Sequence, residues 1–136
     1  MDKRPLFGWQ LYHVFYSDGN AKKVSWVIQT SDSIVDQNRD HVDIYKNKVT
    51  DLQSKYIALH IGLFCGIGTF IIKNEDSVKI KFDDKEMFNQ FTTNSKIEDE
   101  FIQKRMQFIK QLVKQRKLEI QFELIGADEN LAKKNI

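Results

Sequence analysis

T-D-L-Q-S-K-Y-I-A-L, running from Thr50 to Leu59, is the stretch on which the reading of this chain turns. Leu52, Tyr56 and Leu59, followed by Leu63, fall on one stripe of a 3.6-residue period. Thr50 suits the position before a helix, because its hydroxyl can accept from an otherwise unpaired first-turn amide, and Gly66 suits the stop. The spacing therefore predicts the first helix of the chain, with one face against a core and Lys55 close to its start.

Upstream, the residues favour strands. Trp9 to Ser17 is aromatic and β-branched and runs into Asp18-Gly19-Asn20, a turn signal. Lys22 to Gln29 resumes the pattern, so the two form a hairpin. Ser33 to Tyr45 alternates loosely, with Ile34, Val35, Val42 and Ile44 among Asp and Asn, and predicts a polar third strand at a sheet edge.

Downstream, Thr69 to Lys73 is an apolar run of strand length, which predicts a fourth strand ending at Asn74-Glu75-Asp76-Ser77. A short helix is expected around Asp84 to Phe91. Glu98 to Lys117 is the strongest helical pattern, with Ile102, Met106, Ile109 and Val113 on one face and Phe101, Phe108 and Leu112 beside them. Glu119 to Leu124 alternates as a final strand, and a short tail helix follows. Three strands, helix, strand, helices, strand, helix is an order that a meander entering a mixed sheet through helical crossovers satisfies.

Composition supports one folding unit. At 136 residues, with 41% hydrophobic and 29% charged content, the chain is sized for a single domain spanning 1–136, its core about 9–133 and its ends flexible. Ten Phe, four Tyr and two Trp supply core bulk, and a single Pro leaves no linker tract. A net charge of +2 implies no polyanionic partner by itself. The lone Cys65 is read as a small core residue in a reducing compartment. Met1 to Leu6 lacks the apolar run of a signal peptide, and Tyr56 to Ile72, broken by Gly-Ile-Gly, falls short of the roughly 20 apolar residues of a membrane span. A cytoplasmic protein with no membrane partner is expected.

In this element order the chain resembles the ribonuclease H-like family, particularly its reverse-transcriptase-associated branch, over about Tyr12 to Lys133. Tyr16-Ser17-Asp18-Gly19 looks like the family's T-D-G turn, whose Asp binds metal. Thr50 to Leu59 is similar to T-N-N-Q-A-E-Y-x-A-L, and the family's catalytic Glu falls on Lys55. Asp76-Ser77 matches the family's D-S, which implies that Asp76 stands beside Asp18 at the centre of the sheet. Ala127-Asp128-Glu129-Asn130-Leu131-Ala132 is similar to A-D-x-L-A with one residue inserted, which implies a metal role for Asp128. Aligning instead on Asn130 places Lys133 or Lys134 where the last Asp belongs. The resemblance implies an α/β fold with a mixed five-stranded sheet, three antiparallel strands first, flanked by helices.

Two-metal hydrolysis of a phosphodiester needs clustered carboxylates to hold two divalent ions about 4 Å apart. A protonated lysine cannot ligate. Lys55 is therefore expected to pair with Asp18 and Asp76 as an internal cation in place of magnesium. Asp51, one turn before Lys55, is the substitute carboxylate if the site still works.

Lys104, Arg105, Lys110, Lys114, Arg116 and Lys117 give the last long helix a positive stripe with no acidic residue between its ends. It either contacts phosphates, with affinity falling as salt rises, or is an ordinary solvated face. His13, His41 and His60 show no ligand spacing and are read as packing or surface residues, and Trp26 and Phe15 as core rather than a base-stacking platform.

Three functions follow. The first is a divergent module that binds nucleic acid, RNA/DNA hybrid or RNA, with weak or lost cleavage. The second is an active magnesium- or manganese-dependent endoribonuclease using Asp18, Asp76, Asp128 and Asp51. The third is a protein-interaction domain that kept only the fold.

Overall fold

A computed structural model describes residues 11–31 and 33–136. The Met1–Leu6 stretch and the predicted first hairpin residues, Trp9 and Gln10, lie outside the described residues. Strands β1 (Tyr12–Gly19), β2 (Lys23–Thr30) and β3 (Ser33–Asp40) form an antiparallel meander. Helix α1 (Asp51–Gly68) crosses over to β4 (Ser77–Phe82), which lies parallel to β1. Helices α2 (Lys85–Thr92) and α3 (Glu100–Arg116) then lead to β5 (Glu119–Leu124), parallel to β4. Two 3-10 turns, Ala127–Glu129 and Lys133–Asn135, close the chain. The sheet order is β3-β2-β1-β4-β5, so the predicted mixed sheet with three antiparallel strands first is what forms.

The start of α1 shows why these residues fold as they do. Thr50 Oγ1 accepts from the Gln53 amide and Gln53 Oε1 accepts from the Thr50 amide, each at 3.0 Å, so two unpaired donors are satisfied reciprocally. Tyr56, Leu59 and Leu63 are buried and join Phe15, Trp26 and Ile28 of the sheet with Ile102, Met106 and Ile109 of α3. The helix lies close on the strands because Gly62 stands over Phe15 and Trp26, where a methyl group would collide with both rings. Trp26 and Phe15 are fully buried, as the core reading required.

The structure corrects two elements of the sequence reading. Helix α1 does not stop at Gly66 but runs on to Gly68. Thr69 to Lys73, expected to be the fourth strand, is instead the helix cap and its exit loop: the Thr69 amide bonds the Cys65 carbonyl and the Ile71 and Ile72 amides bond the Gly66 carbonyl. The true β4 is Ser77–Phe82, in which Val78, Ile80 and Phe82 are buried. The polar third strand lies at the edge as expected but ends at Asp40, and Val42 and Ile44 are exposed in the turns beyond it. Cys65 is only half-buried, with an Arg39 guanidinium nitrogen 3.5 Å from its sulfur. No helix among the described residues is long and apolar enough to cross a membrane.

Candidate functional site

Parallel pairing of β1 with β4 decides which acid meets Asp18. Tyr12 lies opposite Ser77 and Tyr16 opposite Lys81, so the level of Asp18 is reached just past the end of β4, at Asp83. Asp76 lies level with Leu11, at the other end of the same strands. At about 3.3 Å per residue that separates Asp76 from Asp18 by roughly 20 Å. The expectation that Asp76 stands beside Asp18, and that Lys55 bridges those two, is therefore corrected: the acid at the centre is Asp83.

Asp76 has another task. Its Oδ1 accepts the Leu11 amide, while Oδ2 accepts the Lys73 amide and faces His13 Nε2, all at 2.8 Å. Nδ1 of His13 lies 2.6 Å from Thr30 Oγ1. Both Asp76 and His13 are fully buried, and together they knit β1, β2 and the loop before β4. His13, read from sequence as a packing or surface residue, is this buried polar latch.

At the opposite end, Asp18 closes β1 with 1% of its side chain exposed, and its Oδ1 accepts the Gly19 amide at 2.8 Å. Gly19 is required by neighbours more than by a turn, since a side chain there would run into the Ser54 hydroxyl and carbonyl. That contact sets the start of α1 against the end of β1 and brings Lys55 over the acids. Lys55 Nζ lies 3.8 Å from Asp18 Oδ1, 4.0 Å from Asp83 Oδ1 and 3.5 Å from Asp84 Oδ2. Asp84 also caps α2, its Oδ1 accepting the Met87 amide at 2.9 Å.

A second ammonium comes from the end of the chain. Asn130 is buried, donating from Nδ2 to the Ser17 carbonyl at 3.1 Å and accepting the Ala132 amide at 3.0 Å. This clamp fixes the tail across β1 and directs Lys133 inward, with Nζ 2.7 Å from Asp18 Oδ2 and 3.2 Å from Asp83 Oδ2. Burial opposes the charge on Lys133, but Asp18 and then Asp83 outweigh it and hold the amine above its ordinary value. The cluster thus contains three carboxylates, of Asp18, Asp83 and Asp84, and two ammonium groups.

Other predicted site residues lie elsewhere. Asp128 is exposed on the 127–129 turn, and Asp51 is exposed as the first residue of α1; neither belongs to the ion pairs of the cluster. Of the positive stripe, Lys104, Lys110, Lys114, Arg116 and Lys117 are exposed. Arg105 is turned inward, donating to Tyr45 Oη at 2.8 Å, contacting His60 Nδ1 at 3.0 Å and lying over the Tyr45 and Phe101 rings. His60 also stacks on Phe108, and burial, then Arg105, holds its imidazole below the usual value. His41 is buried between the end of the meander and α1, with Nε2 3.1 Å from the Asn20 carbonyl and 2.7 Å from Ser54 Oγ. Burial lowers its pKa, which the Asn20 carbonyl partly opposes and Arg105 reinforces.

Asp83 and Asp84 are the site residues that the sequence reading misses. The available signal was Val78, Ile80 and Phe82 alternating with two lysines and ending on two acids, a strand followed by a helix cap.

The sheet order and the crossovers have counterparts among known structures. Ribonuclease H1 of the halophilic archaeon Halobacterium salinarum superposes with a TM-score of 0.70 at 16% identity, over 93% of this chain and 92% of the other. The chain carries the ribonuclease H fold. The N-terminal ribonuclease H domain of a Mycobacterium tuberculosis protein, solved as a fusion with maltose-binding protein, is similar at a TM-score of 0.70 and 17% identity, over 92% of this chain and 90% of the other. A compost-metagenome ribonuclease H1, solved in complex with RNA/DNA hybrid, gives 0.66 at 12% identity over 92% of both chains. No protein-family model matches the sequence, and no curated protein matches it. At these identities the ribonuclease H likeness establishes the architecture, and function has to be argued from the residues.

Proposed function

We propose that this chain is a divergent ribonuclease H-like domain that binds nucleic acid, RNA/DNA hybrid or RNA, and has lost metal-dependent cleavage. The observation that carries the reading is the pair of ammonium groups, Lys55 and Lys133, seated among Asp18, Asp83 and Asp84 at 2.7 to 4.0 Å.

Magnesium or manganese is the cofactor that the fold implies, and the donor set present does not suit it. Every carboxylate of the cluster faces a protonated amine, which is itself unable to ligate. Two divalent ions set there would meet two like charges within a few ångströms, while two of the three carboxylate charges are already offset. Among the described residues no group of three or more His, Cys, Asp and Glu side chains is arranged to hold a metal ion. The site is a charged structural centre in which two internal cations offset most of the acid charge.

Support for nucleic acid comes from two sides. A structural neighbour was solved in complex with RNA/DNA hybrid. The exposed lysines of α3, Lys104, Lys110 and Lys114, offer cations for phosphates, each contact releasing counterions. The active-nuclease alternative draws no support from Asp76, Asp128 and Asp51, which are remote from Asp18 or exposed outside its ion-pair cluster.

The test is a binding and cleavage comparison on labelled RNA/DNA hybrid, duplex RNA and duplex DNA with manganese present. The reading expects salt-sensitive binding and no cleavage above an Asp83→Asn control. Cleavage abolished by Asp83→Asn would overturn the loss of activity, and absence of binding at low salt would overturn the nucleic-acid reading.

A further inference from the structure

The exit of α1 carries a feature that folding does not explain. Phe70 adopts a left-handed backbone conformation, with φ 65°, at a place where a helix end usually has glycine. Its ring recovers little by burial, being 78% exposed. A β-carbon-bearing residue held in this conformation with its side chain in water is a cost to the fold, which points to work done by the ring.

The surroundings indicate what kind of work. Phe70 lines an open groove of about 590 Å³ with Ile67, Gly68, Lys73, Asn74 and Arg116. Lys73 and Arg116 are both exposed, and among the described residues no acidic side chain lines the groove. Gly68 leaves the floor open, since a β-carbon there would meet nothing within 4 Å. An aromatic face beside two cations suits a base flanked by phosphates, because every base has a face to stack and the cations can track the backbone. A duplex offers stacked bases only inside its helix, so the matching ligand is single-stranded.

We infer that the groove at the end of α1 binds single-stranded nucleic acid, one base stacked on Phe70 and the neighbouring phosphates on Lys73 and Arg116. The inference rests on the nucleic-acid reading above and adds a second contact to it. Lys55 and Gly68 are separated along α1 by roughly 20 Å at 1.5 Å per residue, so the groove is distinct from the charged cluster.

Fluorescence anisotropy of a short labelled oligothymidylate at low salt tests this, using the full chain. Phe70→Gly is expected to weaken binding by roughly tenfold while leaving the melting temperature equal or higher, because glycine tolerates the backbone conformation. Gly68→Glu, whose β-carbon meets no neighbour within 4 Å and whose carboxylate adds a negative charge, is expected to weaken binding similarly. Lys73→Ala and Arg116→Ala should each flatten the salt dependence. Unchanged binding by Phe70→Gly, or a lowered melting temperature in that variant, would overturn the inference. So would an oligoglutamate that binds as tightly with the same dependence on Phe70, which would assign the groove to an acidic peptide. If the oligothymidylate ignores Phe70 while hybrid still binds, the groove fails and the proposed function stands; if neither ligand binds, both fall.

Discussion

The ammonium of Lys133 lies 2.7 Å from Oδ2 of Asp18, joining the last turn of the chain to the central strand of the sheet. Asn130 makes the contact possible by clamping the tail to the Ser17 carbonyl one residue before Asp18. The two observations tie the end of the chain to the stability of the middle of the fold. Removing either ammonium leaves buried acids facing each other, whereas removing an acid with its ammonium removes the problem.

Lys133→Met should destabilise the protein by roughly 1 to 2 kcal/mol, the lower part of the range for a broken ion pair because the lysine is 40% exposed. Lys55→Met should cost more, roughly 2 to 3 kcal/mol, since only 17% of that side chain is exposed. In chemical denaturation the Asp18→Asn, Lys133→Met double variant should lose less than the sum of its singles, by about 1 kcal/mol.

Alkaline stability should depend on the same lysine. The folded-state pKa of Lys133 is raised above 10.5, so its contribution is complete below 10.5 and is lost as pH rises through the folded value. Denaturation midpoints above pH 10.5 should therefore fall more steeply for the native sequence than for Lys133→Met.

On the acid side, His41 and His60, both lowered by burial, share a separate window, and His41 is the more buried residue of the two. Its pKa is lowered in the fold, so below 6.5 the unfolded chain takes up a proton that the folded chain resists, and stability is lost as pH falls from 6.5 toward the lowered value. His41→Gln should flatten the midpoint against pH in the range just below 6.5.

Asp76→Ala separates the two ends of the sheet. It strips partners from the Leu11 and Lys73 amides and from His13, all within the buried latch, and should cost about 3 kcal/mol. At a temperature where the variant is folded, hybrid binding should be unchanged. A selective loss of binding in a well-folded Asp76→Ala would show the latch to be part of the nucleic-acid site.

Legibility of the sequence varied with how local the determining forces are. Helix α1 could be read because Thr50 and the Tyr56, Leu59 and Leu63 stripe act within a few turns, and β5 was bounded correctly at Glu119–Leu124 by its own alternation. The error came at Gly66, which reads as a helix stop but is buried inside the helix against Ile72 and Ile28. Ending the helix there promoted Thr69 to Lys73 to a strand and shifted the predicted acid from Asp83 to Asp76. The true strand carries Lys79 and Lys81 on its half-buried face, where they lie by Glu123 and the Tyr16 ring, and those partners belong to other strands. Parallel register between β1 and β4 is likewise a non-local quantity, set across a helical crossover. Lys55 was legible from its motif alone, while Lys133 needed the Asn130 clamp to decide between two alignments of the tail.

Isothermal titration of manganese into the native protein and into a Lys55→Glu, Lys133→Asp double variant tests most directly whether internal cations have taken the place of metal. No stoichiometric binding is expected for the native chain, and binding that disappears on adding Asp18→Asn is expected for the double variant. Tight, stoichiometric manganese binding by the native chain, abolished by Asp18→Asn, would contradict the account.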